Sequence, residues 1–154
     1  MQMNLDWHWY TWDELDAATL YELLKLRVAV FVVEQKCAYQ ELDGLDPQCE
    51  HLLVRDGAGT LIGYLRLLPP GLKSAQPSLG RLLIAESARG QGIARALAQE
   101  GVRGCQIRYA EHDIRIAAQQ HLEAFYQSLG FAVASTPYLD DGIWHVDMCK
   151  RWER

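Results

Sequence analysis

The chain has 154 residues and a formal net charge of −5, and hydrophobic residues make up 49% of it. This length and composition are typical of one globular domain with a sizeable core, and they exclude a disordered chain. The 15 basic residues are spread along the chain, so the sequence lacks the basic stripe of a nucleic-acid-binding protein.

Targeting and cysteine patterns point to an ordinary intracellular protein. The N-terminal MQMNLDWHWYTWDEL has neither a basic start nor an apolar core, so we expect no secretory signal in it. The longest strongly apolar run, Val28 to Val33, is far shorter than the ~20 residues of a membrane span. The cysteines form no C-x-x-C pair, so we expect reduced thiols and no metal site. We therefore predict a soluble cytoplasmic protein without membrane or nucleic-acid partners.

Hydrophobic periodicity predicts a chain in which strands and helices are interleaved. In the first half we predict a strand at Leu5 to Tyr10, a helix from Leu20 with Asp16 or Thr19 as its cap, a loop from Cys37 to Glu50, and strands at His51 to Arg55, Leu61 to Leu68 and Leu79 to Ala85. In the second half we predict a helix at Gly92 to Gln106, a strand at Asp113 to Ala118, a helix from Gln119 or Gln120 to Leu129, and strands at Phe131 to Thr136 and Ile143 to Lys150. This order predicts a single mixed α/β domain over residues 1–154.

Three features of these elements carry an open interpretation. Arg27 lies on the apolar stripe of the first helix, where it either reaches to the rim or belongs to a site. The loop from Glu34 to Asp46 carries several carboxylates, which either attract a cationic amine or face solvent. Gly101 and Gly104 weaken the long helix by ~1 kcal/mol each relative to alanine, and we expect them to allow close packing on the sheet.

The stretch SARGQGIARAL joins a predicted strand to the long helix. Glycine lets the backbone approach a ligand closely, and the first N–H groups of a helix are unpaired at the positive end of its dipole. Such a loop suits an anion, phosphate above all, and Arg89 and Arg95 are placed to add charge-assisted hydrogen bonds. Its spacing fits neither an NTPase P-loop nor a dinucleotide fold, and a plain glycine turn is the alternative.

The same loop resembles a family motif. LGRLLIAE followed by Arg89 to Ala94 is similar to the acetyl-CoA motif of the GNAT N-acetyltransferase superfamily, R/Q-x-x-G-x-G/A, and HLEAFYQSLGF resembles its second helix. The blocks LRVAVFVVEQKCAYQELDGLD and DGIWHVDM are similar to the ElaA-like subgroup, and matching blocks run from about residue 20 to 150. This resemblance implies one GNAT domain. Its mixed, mostly antiparallel sheet would have helices on both faces, and two central strands would splay after Ile84 and near Ala118.

The resemblance also implies roles for individual residues, with acetyl-CoA as cosubstrate and no metal. Tyr126 would act as general acid toward the thiolate, although its helical spacing alone favours a core residue. Gln119 stands where many relatives carry an asparagine that contacts the cofactor. The remaining cofactor contacts would come from the backbone of Leu82, Leu83 and Ile84 to the pantetheine arm, and of Arg89, Gly90, Gln91, Gly92, Ile93 and Ala94 to the pyrophosphate.

The base and the acceptor stay open at this stage. Glu34, His121 and His145 are the candidate bases, and a water chain is the alternative to all of them. The acceptor is expected to be a primary amine on a small molecule or peptide. Arg27, Glu34, Tyr39 and His145 are assigned to its site. The oligomeric state is not determined by the sequence, and a homodimer is among the options.

We expect direct acetyl transfer in a ternary complex, because no Cys-His or Ser-His spacing indicates an acyl-enzyme. Two alternatives remain. The first is a non-catalytic sensor that binds acetyl-CoA or CoA without turnover. The second is a different acyl carrier, because Arg27-x-x-Val30-Phe31 is similar to a pattern of acyl-homoserine lactone synthases. The chain length and the acetyl-CoA-type loop disfavour that second reading.

Overall fold

The structure is a computed structural model that describes residues 4–153; residues 1–3 and 154 of the predicted domain lie outside the described part. The strands are β1 (Asp6–Thr11), β2 (Glu50–Arg55), β3 (Leu61–Leu68), β4 (Ser78–Ile84), β5 (Ile114–Gln119), β6 (Ala132–Val133), β7 (Tyr138–Asp140) and β8 (Ile143–Lys150). The α-helices are α1 (Ala17–Val28), α2 (Ile93–Arg108) and α3 (Glu123–Gln127), and α1 continues into a π-helical segment, Ala29–Glu34.

Local chemistry explains where several of these elements begin and end. Asp16 caps α1, since its Oδ1 accepts a hydrogen bond from the Thr19 N–H at 2.7 Å. Asp141 and Gly142 have φ values of +50° and +77°, and this tight turn pairs β7 with β8. Gly130, with φ +96°, ends the helical segment before β6.

The end of the chain differs from the prediction. The third helix is shorter than expected, because a 3₁₀ turn at Gln120–Leu122 precedes α3. The predicted strand from Phe131 to Thr136 is reduced to β6, and β7 was not predicted at all. Three residues are too few to display a strand periodicity, so the sequence carried no usable signal for β7.

The strands form two antiparallel sheets that meet at one point. The first sheet has the order β1-β2-β3-β4, and the second has the order β5-β8-β6, with β7 also pairing with β8. β4 and β5 meet near their starts, where the Arg115 N–H donates to the Pro77 carbonyl at 3.1 Å. No ladder joins the two strands beyond that contact in residues 4–153, so they diverge and leave a cleft.

Helices cover both faces of the first sheet, as predicted. On one face, α2 buries Leu97 and Val102 against a core that extends from Leu52 in β2 to Met148 in β8. On the other face, Leu23 and the π-helical Phe31 pack on Leu53, Tyr64 and Leu83. The mixed α/β architecture predicted from the sequence is therefore confirmed. No helix within residues 4–153 is both long and apolar enough to cross a membrane.

The two glycines of α2 lie where the helix approaches the sheet most closely. A Cβ atom on Gly101 would lie 2.1 Å from Leu65 Cδ2, and one on Gly104 would lie 2.5 Å from Trp9 Cζ2. Both distances are shorter than any normal contact between carbon atoms. The expected close packing of these glycines is confirmed.

This packing predicts that Gly104→Ala destabilises the protein, although alanine is the better helix former by ~1 kcal/mol. Because the Trp9 ring is rigid, we expect a net loss of about 1–3 kcal/mol from overpacking. Urea unfolding of the variant measures this loss. Gln99→Ala, at an exposed position of the same helix, is the control with little expected change. A Gly104→Ala variant more stable than the wild type would contradict the prediction.

Candidate active site

The cleft between the two sheets contains two adjoining cavities. The first, here called the strand cavity, has a volume of about 210 Å³ and lies between β4 and β5. The second, the loop cavity, has a volume of about 460 Å³ and lies between the end of β4 and the start of α2. Phe31, Gln35, Leu82, His121 and Leu122 line both, so the two cavities are continuous along β4.

Residues of both sheets line the strand cavity. Residues Leu79 to Leu82 of β4 and Ile116 to Gln119 of β5 line its two sides. Side chains from three further parts of the chain complete it: Cys37 and Tyr39 after the π-helical segment, Tyr126 of α3, and Asp140, Asp141, Ile143 and His145 of the β7–β8 hairpin. The Cys37 thiol donates to the Asp141 carbonyl at 3.2 Å and so joins the loop to the hairpin.

β4 is bulged where it faces this cavity. The pairing with β3 runs from Tyr64 opposite Leu83 to Arg66 opposite Gly80, so Arg81 and Leu82 together stand opposite one β3 residue. Arg81 has φ +54°, in the left-handed region that non-glycine residues rarely adopt. A bulge leaves one residue outside the ladder. Backbone hydrogen-bonding groups of β4 are therefore released at the cavity wall.

A closed ring of alternating charges lies beneath the bulge. Each carboxylate bonds to two arginines: Glu41 to Arg27 and Arg81, Asp46 to Arg27 and Arg66, and Asp43 to Arg66 and Arg81. The ring joins α1, the loop after the π-helical segment, β3 and the bulged residue of β4. Its contacts range from 2.7 Å for Arg27 to Glu41 to 3.4 Å for Arg81 to Asp43.

This ring corrects two expectations. Arg27 is 0% exposed and does not reach the rim. Its paired guanidinium lies outside the linings of both cavities, and its assignment to the acceptor site stays a prediction. Three carboxylates of the loop, Glu41, Asp43 and Asp46, are paired with arginines in the ring. They therefore neither face solvent as a group nor offer free negative charge to an amine. The sequence could not reveal this, since the partners are separated in the chain and follow no periodicity.

The ring determines the ionisation of its members. Burial alone would raise the pKa of Asp46, but its hydrogen bonds to Arg27 and Arg66 outweigh burial and lower the pKa. Tyr39 donates a hydrogen bond to Glu41, and its ring lies 5.8 Å from the guanidinium carbon of Arg81. Tyr39 lines the strand cavity as predicted for an acceptor residue, while its hydroxyl is tied to the ring.

The glycine loop has an open, uncapped geometry. Gly90 and Gly92 have φ values of +79° and +78°, and a Cβ on either would meet nothing within 4 Å. Gly92 is the N-cap of α2 and makes no side-chain cap hydrogen bond. Within residues 4–153, the N–H groups of the first turn therefore lack hydrogen-bond partners and suit an anion.

The two arginines of this stretch already contact other groups of the protein. The Arg89 Nε donates to the Ile84 carbonyl at 3.0 Å, and its Nη1 lies 3.0 Å from Glu34. The Arg95 guanidinium lies over the Phe125 ring, 5.5 Å from its centroid. Their predicted side-chain contacts to phosphate remain predictions.

Most of the predicted cofactor residues lie along the loop cavity. Its lining contains Leu82, Leu83, Ile84, Arg89, Gly90, Gly92, Ile93 and Ala94. Gln91 is exposed and is not part of that lining. Gln119 lies instead in the strand cavity, where its amide donates to the Gln35 side chain at 3.4 Å.

Tyr126 combines the two interpretations given to it. Its ring packs edge-to-face on Phe125 and Phe131, with centroid separations of 5.1 and 5.9 Å. It also lines the strand cavity, and its hydroxyl has no hydrogen-bond partner in the part of the chain that the structure describes. Burial raises the pKa of Tyr126 to about 12, so the hydroxyl keeps its proton at neutral pH.

The three candidate bases lie in different places. Glu34 lines only the loop cavity and pairs with Arg89. His121 is exposed where the two cavities join. His145 lines only the strand cavity, and its Nδ1 lies 2.8 Å from the Ile143 carbonyl oxygen. Within residues 4–153, no group of three His, Cys, Asp or Glu side chains is arranged to hold a metal ion.

Sequence reasoning missed several residues that line the strand cavity. Arg81, a charged residue within an apolar strand, carried a usable signal, because such a residue is rarely buried without partners. Cys37 and Asp140 carried none. They reach the cavity through the packing of the loop on the hairpin.

Comparisons with known proteins agree with this geometry. A sequence model of the acetyltransferase (GNAT) domain matches residues 18–152. Escherichia coli ElaA is 34% identical over 148 residues, covering 95% of this chain and 96% of ElaA. Its crystal structure matches with a TM-score of 0.89, covering 96% of this chain and 99% of that one. The structure of an acyl-CoA N-acyltransferase from Pseudomonas aeruginosa matches with a TM-score of 0.91 at 39% identity, over 96% and 99% of the two chains.

The chain therefore belongs to the GNAT acetyltransferase family, and it is an N-acetyltransferase by family and fold. Within that family it is similar to ElaA over nearly its whole length, which confirms the predicted family and subgroup. Members use an acyl-CoA cosubstrate and act on amines of small molecules or peptides. The AHL synthase LasI matches with a TM-score of 0.75 over 97% of this chain and 91% of LasI, but at 18% identity it shares the fold alone.

The charge ring predicts a large loss of stability when one member is neutralised. Asp46→Asn removes one of the two counter-charges of Arg27 and one of the two of Arg66, so the ring keeps one uncompensated positive charge and we expect a loss of about 3–5 kcal/mol at pH 7. The control is Glu22→Gln, which breaks the surface pair with Arg55 and should change stability by at most about 1 kcal/mol. Urea unfolding compares the two, and equal losses would contradict the prediction.

The same pair of variants has a defined pH dependence. Because the pKa of Asp46 is lowered on folding, its stabilising contribution is complete above the unfolded value of about 3.9 and is lost as the pH falls below it. The stability difference between the wild type and Asp46→Asn should therefore shrink below about pH 4. A difference that stays constant from pH 7 to pH 3 would contradict this assignment.

Proposed function

We propose that the protein transfers the acetyl group of acetyl-CoA to a primary amine, directly and within one ternary complex. One observation carries the proposal. The cleft between β4 and β5 contains a tyrosine hydroxyl without a hydrogen-bond partner in residues 4–153, and the same cleft continues to the uncapped glycine start of α2. A proton donor and an anion site at opposite ends of one cleft suit a thioester on a phosphorylated carrier.

The residues of the loop cavity suit the coenzyme in shape and chemistry. The uncapped N–H groups that follow Gly92 would bind the pyrophosphate, since neither glycine of the loop presents a side chain to obstruct it. The end of β4, from Leu82 to Ile84, would hold the pantetheine arm alongside it. The Arg89 to Glu34 pair would then border the site and orient the loop.

The β4 bulge supports a site for the oxyanion of the tetrahedral intermediate. Acyl transfer requires an N–H donor fixed near the carbonyl oxygen before the reaction begins. Arg81 and Leu82 share one partner on β3, so a backbone N–H in this pair is available, and Leu82 lines both cavities. We place the N–H donor at Arg81 or Leu82, because the next two residues, Leu83 and Ile84, remain paired with β3.

Tyr126 would supply the proton for the departing thiolate. A pKa of about 12 keeps the phenol protonated before the reaction. The thiol of CoA, near ~8.5 in water, would also have a raised pKa in the same buried cleft, because burial disfavours every anion. Burial therefore shifts the pKa values of the phenol and the thiol in the same direction.

Binding of the coenzyme is tested by a pair of glycine variants. Gly92→Ala and Gly59→Ala each place a side chain at a positive φ, +78° and +84°, and should lose similar stability, about 1–2 kcal/mol. Only Gly92→Ala should weaken acetyl-CoA binding, by about tenfold, because its methyl group displaces one charge-assisted hydrogen bond. Calorimetric titration with acetyl-CoA measures the affinities, and equal affinity for both variants would overturn the assignment of the loop.

The acid role is tested by Tyr126→Phe. We expect thiol release from acetyl-CoA to fall about a hundredfold while the dissociation constant for acetyl-CoA changes less than about twofold. Tyr21→Phe, at a position that is 75% exposed, is the matched control. Full activity of Tyr126→Phe would remove the acid role. A wild type that binds acetyl-CoA but releases no thiol with any amine would favour a sensor instead.

A further inference from the structure

The neutral ring of His145 is held in one tautomer. A carbonyl oxygen only accepts hydrogen bonds, so the 2.8 Å contact between the Ile143 carbonyl and Nδ1 requires the proton to be on Nδ1. In the neutral ring, Nε2 then carries the lone pair. Nε2 has no hydrogen-bond partner in residues 4–153, and the side chain borders the strand cavity. This is the tautomer that a general base requires.

The ring is also fixed in orientation. Tyr138, its neighbour across the β7–β8 pair, stacks on it with a centroid separation of 6.0 Å and an interplanar angle of 20°. The Tyr138 hydroxyl donates to Asp147 at 2.5 Å, and Asp147 pairs with Arg115 at 2.9 Å. An imidazole supported on one face and at one nitrogen is preorganised for proton transfer at the other nitrogen.

The two rival bases lack this arrangement. Glu34 is paired with Arg89 and lies along the loop cavity, away from the strand cavity. His121 is exposed, and no hydrogen bond orients its ring within the described residues. Of the three candidates, only His145 combines an oriented lone pair with a place in the cavity that holds Tyr126.

We propose that His145 is the general base of the acetyl transfer, an inference that rests on the proposed function. Nε2 accepts a proton from the ammonium form of the acceptor, which leaves the nitrogen a lone pair, and that nitrogen then forms a bond to the acetyl carbonyl carbon. The carbon–sulfur bond breaks, and the sulfur receives the proton of the Tyr126 hydroxyl. The nitrogen loses its second proton as the amide forms, and this proton restores Tyr126 through water. The proton held by His145 passes to bulk water.

The charges around His145 suit a ring that becomes cationic. The titratable and charged residues that line the strand cavity with it are Cys37, Tyr39, Arg81, His121, Tyr126, Asp140 and Asp141, and Tyr138, which bonds to Asp147, stacks on its ring. Glu41 and Asp43 neutralise Arg81. The side chains of Asp140 and Asp141 form no ion pair in residues 4–153, so net negative charge remains near the imidazolium.

The test is the pH profile of kcat/KM for thiol release from acetyl-CoA. The probes are propylamine, ethanolamine, putrescine, lysine and a tripeptide, and the most active one is used for the profile. His145→Asn should reduce the rate at pH 7 by about a hundredfold or more and move the acid limb of the profile up to the pKa of the amine itself. Activity should recover toward pH 10, where the amine is already deprotonated. His145→Gln provides a second variant, and the melting temperature of each confirms folding.

An uncharged nucleophile gives a readout that a structural defect would not produce. Methoxyamine is neutral at pH 7, so His145→Asn should lose far less activity with it than with the basic amine. His121→Asn should keep the acid limb, and His8→Asn, at an exposed position of β1, should behave as the wild type. An unmoved acid limb in both His145 variants, or equal losses with both nucleophiles, would overturn the role of His145 alone. A wild type without thiol release would overturn the proposed function, and the base with it.

Discussion

The closed ring of three arginines and three carboxylates is the constraint that shapes the rest of this molecule. It ties α1, the loop after the π-helical segment and β3 to Arg81, the β4 residue in the left-handed conformation. A buried charge without a partner would be strongly destabilising, so each member of the ring requires its two neighbours. The ring thereby fixes both the bulge in β4 and the loop that closes the strand cavity.

The bulge matters because β4 lies at the interruption of the sheet. In residues 4–153, a backbone hydrogen bond from Arg115 in β5 to Pro77, just before β4, joins the starts of the two strands. Beyond it the strands diverge, each still paired with its other neighbour. A sheet can open in this way without losing its core, since α2 packs beneath both halves. Polar backbone groups then become accessible in the middle of the domain, where rigid elements hold them on every side. This explains how a small protein brings Tyr126, the glycine start of α2 and an oriented histidine to one cleft.

The sequence predicted most of this architecture but few of its long-range partners. Periodicity located α1, α2 and most strands, and the glycine spacing located the loop of the anion site, because these signals are local. The buried, paired position of Arg27 was not predicted, since nothing near it in the chain identifies Glu41 and Asp46 as its partners. The sequence left three candidate bases for the same reason, because their partners are not evident from residues nearby in the chain. The orientation of His145 depends on its own strand and on Tyr138 in β7, a strand too short to leave a periodic signal.

The hydrogen bond from the Cys37 thiol to the Asp141 carbonyl spans 104 positions of the chain and joins the loop after the π-helical segment to the β7–β8 hairpin. Both segments line the strand cavity, so this contact helps to set the distance between its walls. If the strand cavity receives the acceptor amine as proposed, a group attached to that sulfur would narrow the cavity without replacing any residue of the proposed chemistry.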